Sequence, residues 1–419
     1  MTQKTNPQMI IKRRSLLGAA AAAFSGGALG FRTAWAQTRT ETLKGEQNRS
    51  ASDPGPSNAG LANANPNSNN PPATDRGDIL PIWYSFDLTH RRIQDGGWTR
   101  QVTAREFPSS QDVAGVTMRL TAGSYRELHW HTANEWAYML YGSARVTVFN
   151  PDGTIFIGDV AEGDLWFFPT GFPHSIQGLG PDGCEFLLVF DQGTFSEYNT
   201  FLLSGWLAHT PSKVLSRNFT VPEAALADLP EQGLYIFPGT VPGSLEDDRK
   251  AVGGAAVAST VNYTFRMKAV KPTTETAGGT IRIVDSTIFQ ASKTIASALF
   301  TLKPGALREL HWHPNASEWQ YYISGKGRMT VFASAGQAHT MDYNPNDVGY
   351  VPQVAGHYVE NTGDRDLVFL ALFKSGYFSE VSLNQWIRRL PVQMTEQHLL
   401  LSAATIAQIP NVGNNILPR

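Results

Sequence analysis

The sequence predicts an all-β protein built from two tandem copies of one barrel or sandwich domain. Three observations predict it. A histidine motif occurs twice, half a chain apart. Short runs rich in Val, Ile, Phe, Tyr and Trp are cut by Gly, Pro, Asn and Asp through both halves, the pattern of an antiparallel sandwich or barrel. The residues after about position 78 suffice for two domains of ordinary size.

The duplication is the firmest of these. Arg126-Glu127-Leu128-His129-Trp130-His131 is followed by Glu135, and Arg308-Glu309-Leu310-His311-Trp312-His313 by Glu318. A further histidine follows each behind a proline, His174 after Pro169 and His357 after Pro352, so the two sets use six of the ten histidines. His129 and His311 are 182 positions apart. Glu135 and Glu318, Pro169 and Pro352, His174 and His357, and Glu197 and Glu380 are each 183 apart. Residues 146–149 match 329–332, residues 193–197 match 376–380, and each half ends in a helix-like stretch closed by Pro230 or Pro410. So long a period describes a duplicated domain, not a solenoid. Within the first copy, 135–140, 144–150, 165–169 and 185–190 read as strands. Asn150-Pro151-Asp152-Gly153 reads as a hairpin turn.

Residues two apart on a strand share a face, so His129 and His131 project together while Trp130 points away. Glu135 comes onto that face after a turn, and His174 arrives from a neighbouring strand. His311, His313, Glu318 and His357 repeat the plan. Three imidazoles and one carboxylate suit a divalent ion such as Mn or Fe, and an octahedral ion keeps two open positions. Structural zinc usually takes cysteine-rich ligation, and this chain has one cysteine, Cys184. No intrachain disulfide is possible, and the apolar run beside Cys184 predicts a buried thiol. His90, His209, His339 and His398 fall outside the motifs and receive no role.

The first 77 residues differ in kind. Lys12-Arg13-Arg14 precedes an Ala/Gly-rich apolar stretch over 18–30, and Ala34-Trp35-Ala36 offers a cleavage site before Gln37. Residues 1–36 are therefore expected to be a twin-arginine-type signal peptide, with the mature protein exported, periplasmic or secreted. The apolar run is short and glycine-rich for a membrane span. Residues 37–77, dense in Asn, Ser, Pro and Gly, are expected to be a disordered linker. The halves are then 78–240 and 241–419. Loss of the leader removes five basic residues and no acidic ones, taking the formal charge from −2 to 29 − 36 = −7. That balance argues against nucleic acid or an anionic membrane as partner.

On these residues the chain resembles the bicupin oxalate decarboxylase family over essentially all of 80–419. The first cupin motif matches Gly123, His129, His131, Glu135 and Gly142, and again Gly305, His311, His313, Glu318 and Gly325. The second matches Gly163, Pro169, Gly171 and His174. In its other copy Asn346 and Val354 replace the two glycines, while Pro352, His357 and Asn361 remain. Longer strings such as RELHWHTANEWAY, VFDQGTFSE and SLNQW are more specific to the family.

The resemblance implies two tandem cupin barrels of the double-stranded β-helix, or jelly-roll, type with short peripheral helices. It implies two Mn(2+) per chain and cleavage of oxalate to formate and CO2, with dioxygen required but not net consumed. A homo-oligomer, trimer or hexamer, is also implied. The matching lid acid is Glu197, in Ser196-Glu197-Tyr198-Asn199-Thr200, whose centre departs from the common decarboxylase lid. Arg126, three residues before His129, is placed to bind a substrate carboxylate, and Arg308 repeats it. Where the family often has a second-site glutamate this chain has Ala371, which leaves Glu380 as the candidate acid there. The second site is therefore expected to bind metal and to be structural or a poorer catalyst. Three readings stay open beside decarboxylation: an oxalate oxidase on the same scaffold, a storage-type bicupin without activity, and a dioxygenase or isomerase cupin for another small acid. The ligand set by itself accepts Mn, Fe or Zn.

Overall fold

The computed structural model describes residues 55–413 and 415–419. The expected signal peptide and the linker as far as residue 54 lie outside the described residues. What is described is predominantly strand, with short helices at the end of each half.

The second barrel is formed by two antiparallel sheets. One holds the strands Glu318–Ser324, Leu367–Phe373, Ala296–Leu302 and Gly279–Val284; the other holds Gly327–Ala333, Gly356–Asn361 and Leu307–Trp312. In the first barrel a single 15-residue strand, Glu135–Phe149, runs through both faces. Its counterpart in the second copy is broken between Ser324 and Gly327. The break falls at Gly325 (φ 84°), and Gly142 (φ 71°) marks the matching bend in the long strand. A Cβ on Gly142 would lie 2.0 Å from the Gly183 carbonyl oxygen, so the bend requires glycine. The predicted hairpin at 150–153 forms: Asn150 N–H donates to the Thr154 carbonyl at 2.8 Å and Gly153 takes φ 86°.

Asn346 and Val354, which replace motif glycines, keep the glycine backbone. Their φ values are 74° and 63°, against 88° and 75° at Gly163 and Gly171. Asparagine tolerates that region; a β-branched valine is strained there. The turn is held because Val354 N–H donates to the His313 carbonyl at 3.1 Å, as Gly171 N–H does to His131 at 2.9 Å.

Two boundaries differ from the sequence expectation. The halves exchange strands: Trp83–Ser85 pairs with Asp347–Val351 of the second barrel, and Thr264–Arg266 pairs with Asp164–Phe168 of the first. A cut at 240/241 therefore separates residues that share sheets. One hydrophobic cluster fills the first barrel and crosses to the second, joining Phe86, Trp136 and Phe186 to Trp319, Tyr321 and Leu370, while a separate cluster around Phe300, Tyr322 and Phe369 belongs to the second barrel. The second half of the expected disordered linker is also ordered. It forms the helices Ala59–Ala64 and Pro66–Asn69 and lies along the strand Gln337–Tyr343. Thr340 donates to Asp75 through its N–H (2.8 Å) and its hydroxyl (2.6 Å), and Asn67 N–H donates to Asp342 at 2.9 Å. The segment covers a sheet edge through polar bonds, which a composition poor in apolar residues does not preclude.

Cys184 is buried and free, and burial pushes its thiol up to about 12, as an inert structural cysteine requires. No helix among the described residues is long and apolar enough to cross a membrane.

Candidate metal centres and the lid of the first centre

The strand Tyr125–Trp130 carries the first histidine pair along one face. His129 and His174 are direct cross-strand partners, as are His311 and His357. In both copies the register slips just before this pair, between Arg126 and His129 and between Arg308 and His311. Trp130 faces the other way, stacking on Phe201 with ring centroids 5.6 Å apart. His129, His131, Glu135 and His174 converge, as do His311, His313, Glu318 and His357. Within each set one donor atom per residue lies within 4.8 Å of the others, and all eight residues are buried.

Each imidazole is fixed by its second nitrogen. Nδ1–H donates to a backbone carbonyl in His129 (Glu127, 2.6 Å), His131 (Ala133, 2.8 Å) and His174 (Phe172, 2.7 Å). The second centre follows with His311 (Glu309, 2.7 Å), His313 (Ser379, 2.7 Å) and His357 (Ala355, 3.2 Å). Nε2 is left as the inward donor in every case. The carboxylates are oriented differently. Trp166 Nε1–H donates to Glu135 Oε1 at 3.0 Å, whereas Gln320 Nε2–H donates to Glu318 Oε1 at 2.8 Å and itself accepts from the Tyr322 hydroxyl at 2.7 Å.

Burial presses the His129, His174 and His311 imidazoles below their ordinary range, with nearby positive charge adding to the effect at His129 and His311. Burial alone would raise the Glu135 and Glu318 carboxyls. The imidazoles beside them win, and both are held below the usual carboxylate range. Neutral imidazoles around an ionised carboxylate are the states a divalent cation needs. Nε2 of His174 is buried without a hydrogen-bond partner among the described residues, and Nε2 of His313 lies 2.9 Å from Glu318 Oε2, so the donor atoms converge as a metal ion requires.

Over the first centre, Ser196 caps the turn Glu197–Asn199 and turns Glu197 inward until it is buried. Glu197 Oε2 accepts from Arg126 Nη2 at 3.2 Å and from the Tyr235 hydroxyl at 2.7 Å. Arg126 also donates to Thr200 Oγ1 at 3.0 Å, and Glu197 N–H donates to Gln101 at 3.1 Å. Nε and Nη1 of Arg126 are buried without partners among the described residues. Behind them Glu127 accepts the N–H groups of Ser204 (2.6 Å), Leu234 (3.0 Å) and Tyr235 (2.7 Å), pinning the segment that carries the phenol. Burial, then the Glu197 charge, pushes the Tyr235 phenol well up, so it remains a donor.

The second centre repeats the ion pair, Arg308 to Glu380, but not its surroundings. Register places Asn415 where the first centre has Tyr235, since Ile236 pairs with Arg126 and Ile416 with Arg308. It also shows the first lid to be longer. Phe201 and Val381 are equivalent by their pairing with Trp130 and Trp312, so residues 198–200 have no counterpart after Glu380. Ala371 lies buried in register between Ala298 and Gln320.

The structure thus brings the eight expected donors together as two sets and pairs Arg126 with Glu197 and Arg308 with Glu380. The sequence reading gave these residues their expected places. It missed Tyr235, Thr200, Gln101, Trp166 and the brace Glu127. The extra lid residues left a trace: the repeat offset falls from 183 at Glu197 and Glu380 to 180 at Trp206 and Trp386.

The family model for cupins matches residues 85–225 and 265–407. Oxalate decarboxylase OxdC of Bacillus subtilis is 55% identical over 335 residues, 80% of this chain and 86% of that protein. The chain belongs to the bicupin oxalate decarboxylase family. A probable oxalate decarboxylase of Arthroderma benhamiae is 38% identical over 341 residues, 81% of this chain and 83% of that one. Among solved structures, one of the B. subtilis enzyme concerned with its Mn(II) centres superposes with a TM-score of 0.85 at 50% identity, covering 89% of this chain and 98% of that one.

Proposed function

We propose that this chain converts oxalate to formate and CO2 at its first centre, with one Mn(2+) held by His129, His131, Glu135 and His174 and a second by His311, His313, Glu318 and His357. The observation that carries this reading is the closed lid: a buried acid, Glu197, pairs with Arg126, which keeps two unpartnered donors and lies on the strand that carries the metal donor His129. A divalent Mn supplies Lewis-acid and one-electron chemistry and open positions for a small dianion.

The chain supplies the rest. Arg126 keeps Nε–H and Nη1–H free as separate charge-assisted donors for a substrate carboxylate. Burial excludes water from the reacting carbon. Once CO2 has left, the remaining one-carbon fragment becomes formate only if a proton reaches its carbon. The balance is oxalate dianion plus one proton giving formate and CO2. Glu197 is the group placed to deliver that proton, and Tyr235 and Arg126 hold it in position. Dioxygen serves as a cofactor that is not net consumed. The oxidase outcome, two CO2 and peroxide, follows when the proton is not delivered; the enclosed Glu197 favours decarboxylation. Asn415 stands where the first centre has Tyr235, and the lid beside Glu380 is three residues shorter, which supports a structural or slower second centre. Intact donor sets give no support to a storage role.

The Arg13-Arg14 leader supports export of the folded protein by the twin-arginine route to the periplasm or beyond. A homo-oligomer is supported by the exposed Trp206 and Trp386, 62% and 51% accessible at equivalent places on the two halves. The reading is tested by incubating Mn-loaded protein with oxalate and quantifying formate and peroxide together.

A further inference from the structure

Of the three residues that lengthen the first lid, Tyr198 meets a cation that nothing described so far employs. Arg92 lies on the edge strand Arg92–Gln94 of the first barrel. Its guanidinium carbon sits 3.5 Å from the ring centroid of Tyr235 and 5.1 Å from that of Tyr198, both within cation–π range. Among the described residues the Arg92 guanidinium has no ion pair or hydrogen bond, so these two rings account for its position. The rings differ in status. Tyr235 is buried, with its hydroxyl on Glu197 and its face against Arg126 at 4.3 Å; Tyr198 is more than half exposed at the tip of the lid. A continuous chain of contacts thus runs from the outside of the lid to the acid: Tyr198, Arg92, Tyr235, Glu197.

Of this chain only the acid is repeated at the second centre, as Glu380. Register places Thr274 at the position of Arg92, since Gln94 pairs with Gly97 as Thr276 does with Gly279. Tyr198 has no counterpart there, and Tyr235 corresponds to Asn415. The three residues therefore occur together only where the lid is long and the acid is enclosed.

We propose that Arg92 is a positioning residue for the decarboxylation proposed above: by bridging Tyr198 on the lid and Tyr235 beneath it, it latches the lid shut with Glu197 inside. Arg92 touches neither substrate nor metal ligand; it acts through the time the lid spends closed. When the lid opens, the proton is not delivered. The same substrate then takes the oxidase balance, in which oxalate, dioxygen and two protons give two CO2 and one peroxide. A cation–π contact of this partly exposed kind shifts an opening equilibrium by about two- to thirtyfold.

The test uses the full-length, Mn-loaded protein and the variants Arg92→Gln, Arg92→Lys, Tyr198→Ser, Tyr198→Phe and Arg92→Gln/Tyr198→Ser. Hydrogen exchange of the lid amides at 197–200, metal content, and the formate and peroxide yields from oxalate are measured on each. Arg92→Gln and Tyr198→Ser should each speed lid exchange and raise the peroxide share by similar factors, with two ions still bound. The double variant should do no more than either single one, because both break one contact. Tyr198→Phe should behave as wild type, and Arg92→Lys should recover part of the loss. Unchanged lid exchange and unchanged product ratio in Arg92→Gln, or additive effects in the double variant, would overturn the latch. Tyr198 is exposed, so Tyr198→Ser decides the matter alone if Arg92→Gln does not fold. A wild-type protein that makes no formate would remove the proposed reaction, while the lid-exchange comparison would still judge the latch.

Discussion

Replacing Glu197 with Gln removes the deliverable proton and keeps the shape of the side chain. In the closed lid the carboxylate accepts from Tyr235 at 2.7 Å and from Arg126 at 3.2 Å, and a glutamine carbonyl can accept both bonds. The lid should therefore still close. Arg126 also keeps its two unpartnered donors for substrate, so KM should change little. A general acid contributes typically ~10²–10⁴ in rate, about 3–5 kcal/mol of barrier. Formate production by Glu197→Gln should fall by that factor. Peroxide formation needs no proton on carbon, so it should persist and dominate the products. Glu380→Gln is the internal control, because Glu380 faces Arg308 under a shorter lid, with Asn415 in the place of Tyr235. It should leave formate production within about twofold of wild type if proton delivery is confined to the first centre. The assay is formate by a coupled dehydrogenase and peroxide by a peroxidase dye, on protein with verified metal content. Full formate production by Glu197→Gln would refute the assignment of the acid. Equal losses in the two variants would refute the division of labour between the centres.

Four further outcomes follow from the same geometry. Tyr235→Phe deletes one hydrogen bond to a charged group, worth ~1.5–3 kcal/mol, so formate production should fall about ten- to a hundredfold with KM nearly unchanged in steady-state kinetics. His131→Ala should lower bound metal from two ions per chain to one, by elemental analysis, and abolish turnover. The metal-free protein should lose stability as pH is lowered. Imidazoles depressed below 6.5 in the folded state charge first in the unfolded chain, and carboxyls depressed below 4.5 are protonated first there too. Both make the unfolded state bind more protons, so urea midpoints should drop from about pH 6.5 downward; midpoints that rise would contradict the burial argument. Replacing Arg13 and Arg14 by Lys should block export, with the mature N-terminus otherwise found at or near Gln37; unimpaired export would point to the general secretory route.

What was legible in the chain follows from how the information is stored. The donors, Arg126 and Glu197 lie in strings that occur twice, and period-two alternation fixes which of them share a face. Tyr235 lies a hundred residues from the histidine pair and is Asn415 in the other copy, so no repeat marks it. Its place depends on the buried Glu127 accepting its own N–H and that of Leu234 before it. The strand exchange was hidden because Trp83–Ser85 and Thr264–Arg266 are three residues each, too short for any periodicity. The linker was misjudged because low apolar content argues against a core of its own, not against polar docking on an existing sheet edge.

Decarboxylation here turns on a proton enclosed with Glu197 that sends the substrate to formate. Its most direct measurement is the product ratio of the wild-type protein, Mn-loaded and air-equilibrated, with oxalate in excess. Close to one formate and one CO2 per oxalate are expected, with peroxide a minor product and no stoichiometric oxygen uptake. Two CO2 and one peroxide per oxalate, with matching oxygen uptake, would contradict it.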